Sequence, residues 1–321
     1  MSTEGYDFRL LAKDDWDDRV WQQYANLMYA AFDWYISRDS GRALLQADPR
    51  QAVDPVGTYA LDARGDLVGY AGMGRRPVVH GGQALPSANL WVINVRQDNT
   101  RRGVGRRLIE MAVEQLRSEG IQDITLYSTP GLVAYPIYRS LGFLDHHRLA
   151  FWLADRRPGK DEPGLRTLTD EERARTREVF ERNMRRIDGF TVRNGDLYAL
   201  YGALGVDTAD WFRTIDPPGT LEGFIFGSPG PARGITTVTE LVGPDEDWYR
   251  QAGEAVRHSS QGEQVWVIHR NPLAADGLEA AGYEWTDVNC YQRMMAVGSI
   301  VERDEGASDP RWFAESRLDV F

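Results

Sequence analysis

The sequence predicts a soluble chain of two α/β domains, each a mixed sheet flanked by helices. Three observations predict it. First, 321 residues exceed an ordinary single domain and suit two domains of about 150 residues each. Second, segments of strand-like alternation are interleaved with segments of helical periodicity in both halves. Third, Asp155–Gly164, DRRPGKDEPG, consists only of charge, Pro and Gly, the composition of an interdomain linker. The expected division is residues 1–154, a linker at 155–164, a second domain at 165–298 and a tail at 299–321.

The elements follow in order. Tyr6–Ala12 alternates as a strand, and Val20, Trp21, Tyr24, Leu27, Met28, Ala31, Phe32 and Tyr35 fall at helical spacing. Strands are expected at Thr58–Ala63, Leu67–Met73 and Leu90–Val95. A helix over Gly103–Ser118 places Val104, Leu108, Met111, Ala112 and Leu116 on one face. A strand at Ile124–Tyr127, a helix at Leu132–Ser140 and a last strand at Arg148–Leu153 complete the half. Beyond the linker, Thr169 with Glu172 forms a capping box that opens a helix through about Arg186. Strands at Leu221–Phe226, Ile235–Val242, Gln264–His269 and Val288–Met294 and a helix over Asp247–Arg257 are expected after it. The tail is polar, with Trp312, Phe313 and Phe321 embedded, and is expected to dock.

Composition narrows the function. The net charge is −11, and residues 1–155 carry 19 acidic and 17 basic side chains against 29 and 20 in residues 156–321. An acidic chain is a poor general nucleic-acid binder, because neutralising phosphates supplies most of such affinity. The longest apolar stretch, Leu197–Val206, is far short of the ~20 residues that span a bilayer. No secretory signal opens the chain, so no membrane partner and a cytoplasmic location are expected. A single cysteine, Cys290, excludes an internal disulfide and a cysteine-built zinc site; it is expected to be buried and inert. No Gly-x-Ser-x-Gly, His-Glu-x-x-His or Cys-x-x-Cys occurs, so no metal is expected and hydrolase readings lack support.

The chemistry concentrates between Leu90 and Phe143. The strand Leu90–Val95 runs into Gln97-Asp98-Asn99-Thr100-Arg101-Arg102-Gly103-Val104-Gly105, where a helix begins. A helix start exposes N–H groups that no intrahelical carbonyl answers, and the helix dipole adds to their attraction for phosphate. Glycine there lets a pyrophosphate approach the backbone. Arg101, Arg102, Arg106 and Arg107 crowd the same turn. Leu108 stands where a dinucleotide fingerprint would have its third glycine, and a Walker loop's Gly-Lys-Ser/Thr is missing.

This stretch resembles the GNAT superfamily of N-acetyltransferases, over roughly residues 6–153. The family's Leu-x-x-Leu-x-Val strand and Gln/Arg-x-x-Gly-x-Gly/Ala turn are matched by Leu90-Trp91-Val92-Ile93-Asn94-Val95 and Thr100-Arg101-Arg102-Gly103-Val104-Gly105, with Thr100 replacing Gln or Arg. Its second signature, Ala-x-x-x-Tyr-x-x-x-Gly-Phe, recurs as Ala134, Tyr138, Gly142 and Phe143, with Gly131 where Asn is frequent. The resemblance implies a mixed, mostly antiparallel twisted sheet and acetyl-CoA as acyl donor, held by Ile93, Val95, Thr100, Arg101, Arg102, Gly103, Val104, Gly105 and Arg106. It implies two splayed strands, Leu90–Val95 and Ile124–Tyr127, with the pantetheine arm between them. It makes Tyr138 the general acid for the leaving thiolate. Asp33 and Asp39 lie where this family shapes its acceptor site, and Asp33 is the candidate for holding a cationic substrate. The strand Leu90–Val95 carries no acid, so a water relay, or an acceptor that arrives partly neutral, is expected in place of a carboxylate base. His80, His146 and His147 are the other bases in reach of such a reading, though adjacent strand residues face opposite ways.

The second signature returns in the second half as Ala274, Leu278, Gly282 and Tyr283. That half is therefore expected to be a degenerate GNAT-like domain. Leu278 cannot donate a proton, and Gly243-Pro244-Asp245-Glu246-Asp247 sets three carboxylates where the first half has arginines, which repels a pyrophosphate. The expected activity is direct transfer of acetyl from acetyl-CoA to a primary amine of a small molecule such as a metabolite or antibiotic, by a monomeric pseudo-dimer or a homodimer. A protein lysine or N-terminal acetyltransferase and a non-catalytic acyl-CoA sensor are the alternatives.

Overall fold

The computed structural model describes residues 4–148, 151–157, 164–185, 187, 189–193, 195–228, 232, 234–268, 271–286 and 293–297. The first half contains β1 (Asp7–Leu11), α1 (Asp18–Phe32), α2 (Arg38–Ala47), β2 (Gly57–Leu61), β3 (Leu67–Arg75), β4 (Val78–His80), β5 (Gln83–Leu85), β6 (Ser87–Val95), α3 (Val104–Ser118), β7 (Asp123–Ser128), α4 (Tyr135–Ser140), β8 (Leu144–Arg148) and β9 (Phe151–Asp155). The second contains β10 (Arg166–Thr167), α5 (Asp170–Ala174), α6 (Thr176–Met184), α7 (Ala199–Ala203), β11 (Phe212–Thr214), β12 (Phe224–Phe226), β13 (Ile235–Val238), β14 (Glu240–Val242), α8 (Glu246–Ser259), β15 (Gln264–Val267), α9 (Ala275–Ala280), β16 (Glu284–Thr286) and β17 (Arg293–Val297). Among the described residues no helix is long and apolar enough to cross a membrane.

The main sheet runs β1-β2-β3-β6-β7-β17-β8. All its pairings are antiparallel except β6 with β7, as the mixed, mostly antiparallel α/β expectation requires. The second half repeats this pairing logic across two sheets. β10, β11, β12 and β14 are antiparallel neighbours, β13 pairs with β15 in parallel, and β9 lies antiparallel between β15 and β16.

The closing strands are exchanged. β17, near the end of the described chain, inserts between β7 and β8 of the first half, with Met295 opposite Leu126 on one side and Asp145 on the other. β9 leaves the first half and inserts into the second, with Trp152 opposite Val267 and Trp285. The single last strand expected at Arg148–Leu153 is thus two strands in two sheets: β8 ends at Arg148 and β9 begins at Phe151. Periodicity finds a strand but says nothing about its partner, because pairing is non-local.

Packing binds the halves further. One apolar cluster joins Leu11, Trp21, Tyr24, Met28 and Tyr70 of the first half to Phe180, Met184, Phe190, Leu197 and Phe226 of the second. The β4–β5 hairpin is held by backbone bonds between Val79 and residues Gly189 and Phe190, 2.9 and 2.8 Å long. Those short strands and α2 were not legible in the periodicity. The helix expected to reach Arg186 is two helices, α5 and α6, parted at Arg175. The Thr169–Glu172 capping box that opens α5 is formed in both directions. The strand expected over Ile235–Val242 is broken at Thr239 into β13 and β14, which serve different sheets. Of Val288–Met294, only Arg293 and Met294 lie within the described residues; Cys290, the tail 299–321 and most of the Asp155–Gly164 segment lie outside them.

Candidate functional site

Strands β6 and β7 pair at Ser87↔Asp123, Ala88↔Ile124 and Asn89↔Thr125, and there the ladder stops. Beyond that point, among the described residues, β6 pairs only with β3 and β7 only with β17, so a cleft opens between the two parallel strands. A bulge helps to open it. Register between β3 and β6 shifts between Tyr70 and Gly72, and Val92 adopts φ 49°, a costly conformation for a β-branched residue.

At the far end of β6 the chain makes a short 3₁₀ turn, Gln97–Asn99, braced by Thr100, whose Oγ1 donates to the Gln97 carbonyl at 2.9 Å. Arg101 (φ 61°) and Gly103 (φ 82°) are both left-handed, the kind of backbone turn that curls amides into an anion seat. Gly103 is the N-cap of α3 and offers no side-chain cap, and no acidic residue stands in the first turn. The leading amides of a helix that long are left for an external acceptor. Gly105 has a separate reason to be glycine. A Cβ there would stand 3.3 Å from a Val95 methyl, so the helix could not lie as close to β6.

The predicted cofactor residues divide by what they expose. Val104 is buried with Ala60, Val68, Ala71 and Leu108, leaving only its backbone to a ligand. Ile93 and Val95 are half-buried on the α3 face of β6. Arg106 is engaged with Glu110 at 2.8 Å and Ser140 at 2.9 Å, and Arg107 with Glu110 and Glu114. Arg102 lies 3.4 Å from the Tyr6 hydroxyl. Thr100, Arg101 and Arg102 are exposed or half-exposed around the turn.

Tyr138 sits on α4, 5% exposed, among Leu90, Ile109, Leu126, Phe143 and Met295. Burial alone pushes its phenol up to about 12, so the group stays protonated throughout the physiological range. The helix that carries it is shorter than expected, beginning at Tyr135 rather than Leu132. It ends as the signature's Gly-Phe demands. Gly142 takes φ 89°, its amide donates to Arg139, and the Phe143 amide donates to Tyr138, both at 3.1 Å, a Schellman closure.

Asp33 is the left-handed C-cap of α1, with its backbone N–H on the Tyr29 carbonyl at 2.9 Å; its side chain is exposed. Asp39 is exposed and bound to Arg38 at 2.8 Å, which holds its carboxyl below the usual range. Among the described residues, no contact brings either carboxylate to the cleft. The side chains of His80, His146 and His147 lie outside the described residues. The early aromatics part company: Trp16 and Trp21 are core, Phe32 and Tyr35 exposed.

Sequence reasoning missed the polar face of the cleft. Trp91 packs over Gly72 and Asn94 lies opposite Tyr70, so both side chains face the α1–α2 layer, away from α3. Thr125 meets Arg76 on that side, and alternation puts Tyr127 there too. Trp91 Nε1, Asn94 Oδ1 and the Tyr127 hydroxyl are buried and without a partner among the described residues. The only sequence signal was a polar Asn inside an apolar strand.

Residues 13–143 match the acetyltransferase (GNAT) family model. No curated protein matches the sequence. Among solved structures, a GCN5-related N-acetyltransferase from Kribbella flavida is 18% identical, covering 91% of this chain and 71% of its own, with a TM-score of 0.63. Another from Anabaena variabilis is 14% identical, covering 91% and 72% with a TM-score of 0.63, and Eis1 from Mycobacterium abscessus is 16% identical, covering 93% and 74% with a TM-score of 0.60. At these identities the likeness is one of fold. The parted parallel strands and the uncapped helix start both lie within residues 13–143, the part of this chain that matches the acetyltransferase (GNAT) family.

Proposed function

We propose that the chain is an acetyl-CoA-dependent N-acetyltransferase acting on a primary amine of a small molecule. The uncapped start of α3 beside the mouth of the β6–β7 cleft carries this reading. The residues fit a nucleotide-phosphate ligand. The amides of Gly103, Val104 and Gly105 would hold the pyrophosphate, Arg101 and Arg102 would add charge, and the polar edges of β6 would hold the amide-rich arm. Such a donor supplies an activated acyl group as a thioester.

In this reading Tyr138 serves the leaving sulfur. A phenol at about 12 is always loaded with its proton, but it is a weaker acid than a thiol. Its contribution is therefore a hydrogen bond to the developing thiolate, with net protonation following through solvent.

The second half reads as a degenerate copy that binds no acetyl-CoA. At its corresponding helix start Asp245 accepts from the Trp248 amide at 2.9 Å, and Glu246 and Asp247 add negative charge to the first turn. Leu278 is fully buried where Tyr138 stands in the first half. The shared apolar cluster and exchanged strands support a monomer that acts as its own pseudo-dimer.

Calorimetric titration with acetyl-CoA tests the reading without knowledge of the acceptor. One site per chain, lost on replacing Gly103 and Gly105 by bulky residues, is the expected result. Two sites would overturn the division of labour, and no binding would overturn the enzyme reading.

A further inference from the structure

The cleft's polar face states what form of amine it takes. Asn94 is 6% exposed and Trp91 8%, and each presents a polar atom that no described residue answers. The Asn94 amide group is oriented: its Nδ2 donates to the Val92 carbonyl at 3.2 Å, which leaves Oδ1 as an acceptor. A buried acceptor without a partner costs free energy unless a ligand or water supplies the donor. Tyr127, on the same face of the strand that has parted from β6, adds a hydroxyl in the same condition. The lining is polar and neutral.

Charged groups near this face are spoken for or lean the other way. Asp48 is ion-paired with Arg50 at 2.8 Å, both buried, and the Arg50 guanidinium stands 5.6 Å from the Trp91 ring centre. Arg76 donates to Thr125 at 2.7 Å. Asp123 lies at the end of β7 that is still paired with β6, short of the point of parting. Tyr24 of α1 and Tyr70 of β3, in the same apolar layer as Trp91, are held protonated by burial. An ammonium entering this layer would lose its hydration and meet neutral dipoles beside a carboxylate already paired with Arg50.

We propose that the acceptor is bound as a neutral, weakly basic amine, of the aryl amine, hydrazide or hydroxylamine class, with one N–H on Asn94 Oδ1. The proposal rests on the acetyltransferase reading above. The nitrogen then arrives with its lone pair ready. It bonds to the acyl carbon as the C–S bond breaks, gives up one proton, and the sulfur gains one, so no base is needed to strip an ammonium beforehand. An amine of pKa about 10 must bind through the roughly one part in 10³ that is neutral at pH 7, whereas an aryl amine pays no such factor.

The test is a panel of size-matched amines with conjugate-acid pKa from about 4 to about 10, assayed by thiol release from acetyl-CoA at pH 7 and 9. Weakly basic amines are expected to lead in kcat/KM at pH 7 by at least roughly tenfold, with flat pH dependence, and basic ones to gain about tenfold per pH unit. Calorimetry of a basic amine with the CoA-loaded protein, in buffers of different ionisation enthalpy, should register about one proton released on binding at pH 7. Asn94→Asp should raise turnover of basic amines and lower that of weakly basic ones; Tyr127→Phe, which keeps the packing, should raise KM for both. Preference for basic amines at pH 7, binding without proton release, an unchanged preference in a folded Asn94→Asp protein, or no acetylation across the panel by a protein that binds acetyl-CoA would each overturn the proposal. Failure to bind acetyl-CoA would instead overturn the acetyltransferase reading beneath it.

Discussion

The turns that open α3 and α8 follow the same kind of strand and precede the same kind of helix, yet they present opposite chemistry. At α3 the N-cap is a left-handed Gly103, which supplies no side-chain cap to the helix's leading amides. At α8 the side chain of Asp245 answers the Trp248 amide, and the Trp248 indole lies against Gly243 while donating to Asp216 at 2.8 Å. The first turn has no side-chain cap and the second is capped by its own aspartate. The helices downstream sharpen the contrast. α4 and α9 end in the same closure, with Phe143 bonded to Tyr138 at 3.1 Å and Tyr283 to Leu278 at 2.9 Å. The two closures share a backbone pattern, while the first carries a phenol and the second an isobutyl group. The same local fold can therefore carry different chemistry, because the closure is set by the backbone and the chemistry by the side chain.

The largest effect expected on this comparison comes from the strand exchange, which makes the better-equipped half depend on the far end of the chain. Met295 is fully buried between β7 and β8. Met295→Asp should cost about 4 kcal/mol or more, as an unpaired charge in a core does, and should abolish the cooperative melt of the first half. A small loss confined to the second half would mean the exchange is dispensable. Next, Tyr138→Phe should lower kcat by about 10²-fold while acetyl-CoA affinity stays within about twofold; an unchanged kcat removes Tyr138 from the chemistry.

Gly103→Val should weaken acetyl-CoA binding by at least about tenfold, because a β-branched residue resists φ 82° and crowds the amides. The matched change on the other side, Asp245→Ala, should cost about 1 kcal/mol of stability through the lost cap and leave acetyl-CoA affinity untouched. Any loss of affinity there would show that the second turn also binds. The smallest effect is on alkaline stability. Burial raises the Tyr138 pKa to about 12 from about 10 when unfolded. Its share of stability is therefore complete below pH 10 and fades as pH rises toward 12. Tyr138→Phe should make denaturation midpoints fall less steeply over that range, though Tyr24 and Tyr283, raised by the same burial, keep part of the slope.

Local chemistry was legible from residues alone. The two-glycine turn, the α3 periodicity, the Thr169–Glu172 capping box and the Gly142-Phe143 closure each depend on neighbours within a few positions, so spacing suffices to find them. Residue identity also separates the halves, which carry Tyr138 against Leu278 at the signature position and arginines against carboxylates at the helix start. What the tertiary structure alone decided was non-local. Strands Leu144–Arg148 and Phe151–Asp155 are three residues apart in sequence and belong to different sheets, because a strand's partner is chosen by complementary faces brought together from afar. The parting of β6 from β7, the neutral polar wall at Trp91, Asn94 and Tyr127, and the burial that keeps Tyr138 protonated are likewise properties of packed surroundings. No run of neighbouring residues encodes the dielectric around a phenol or the absence of a partner for an amide oxygen.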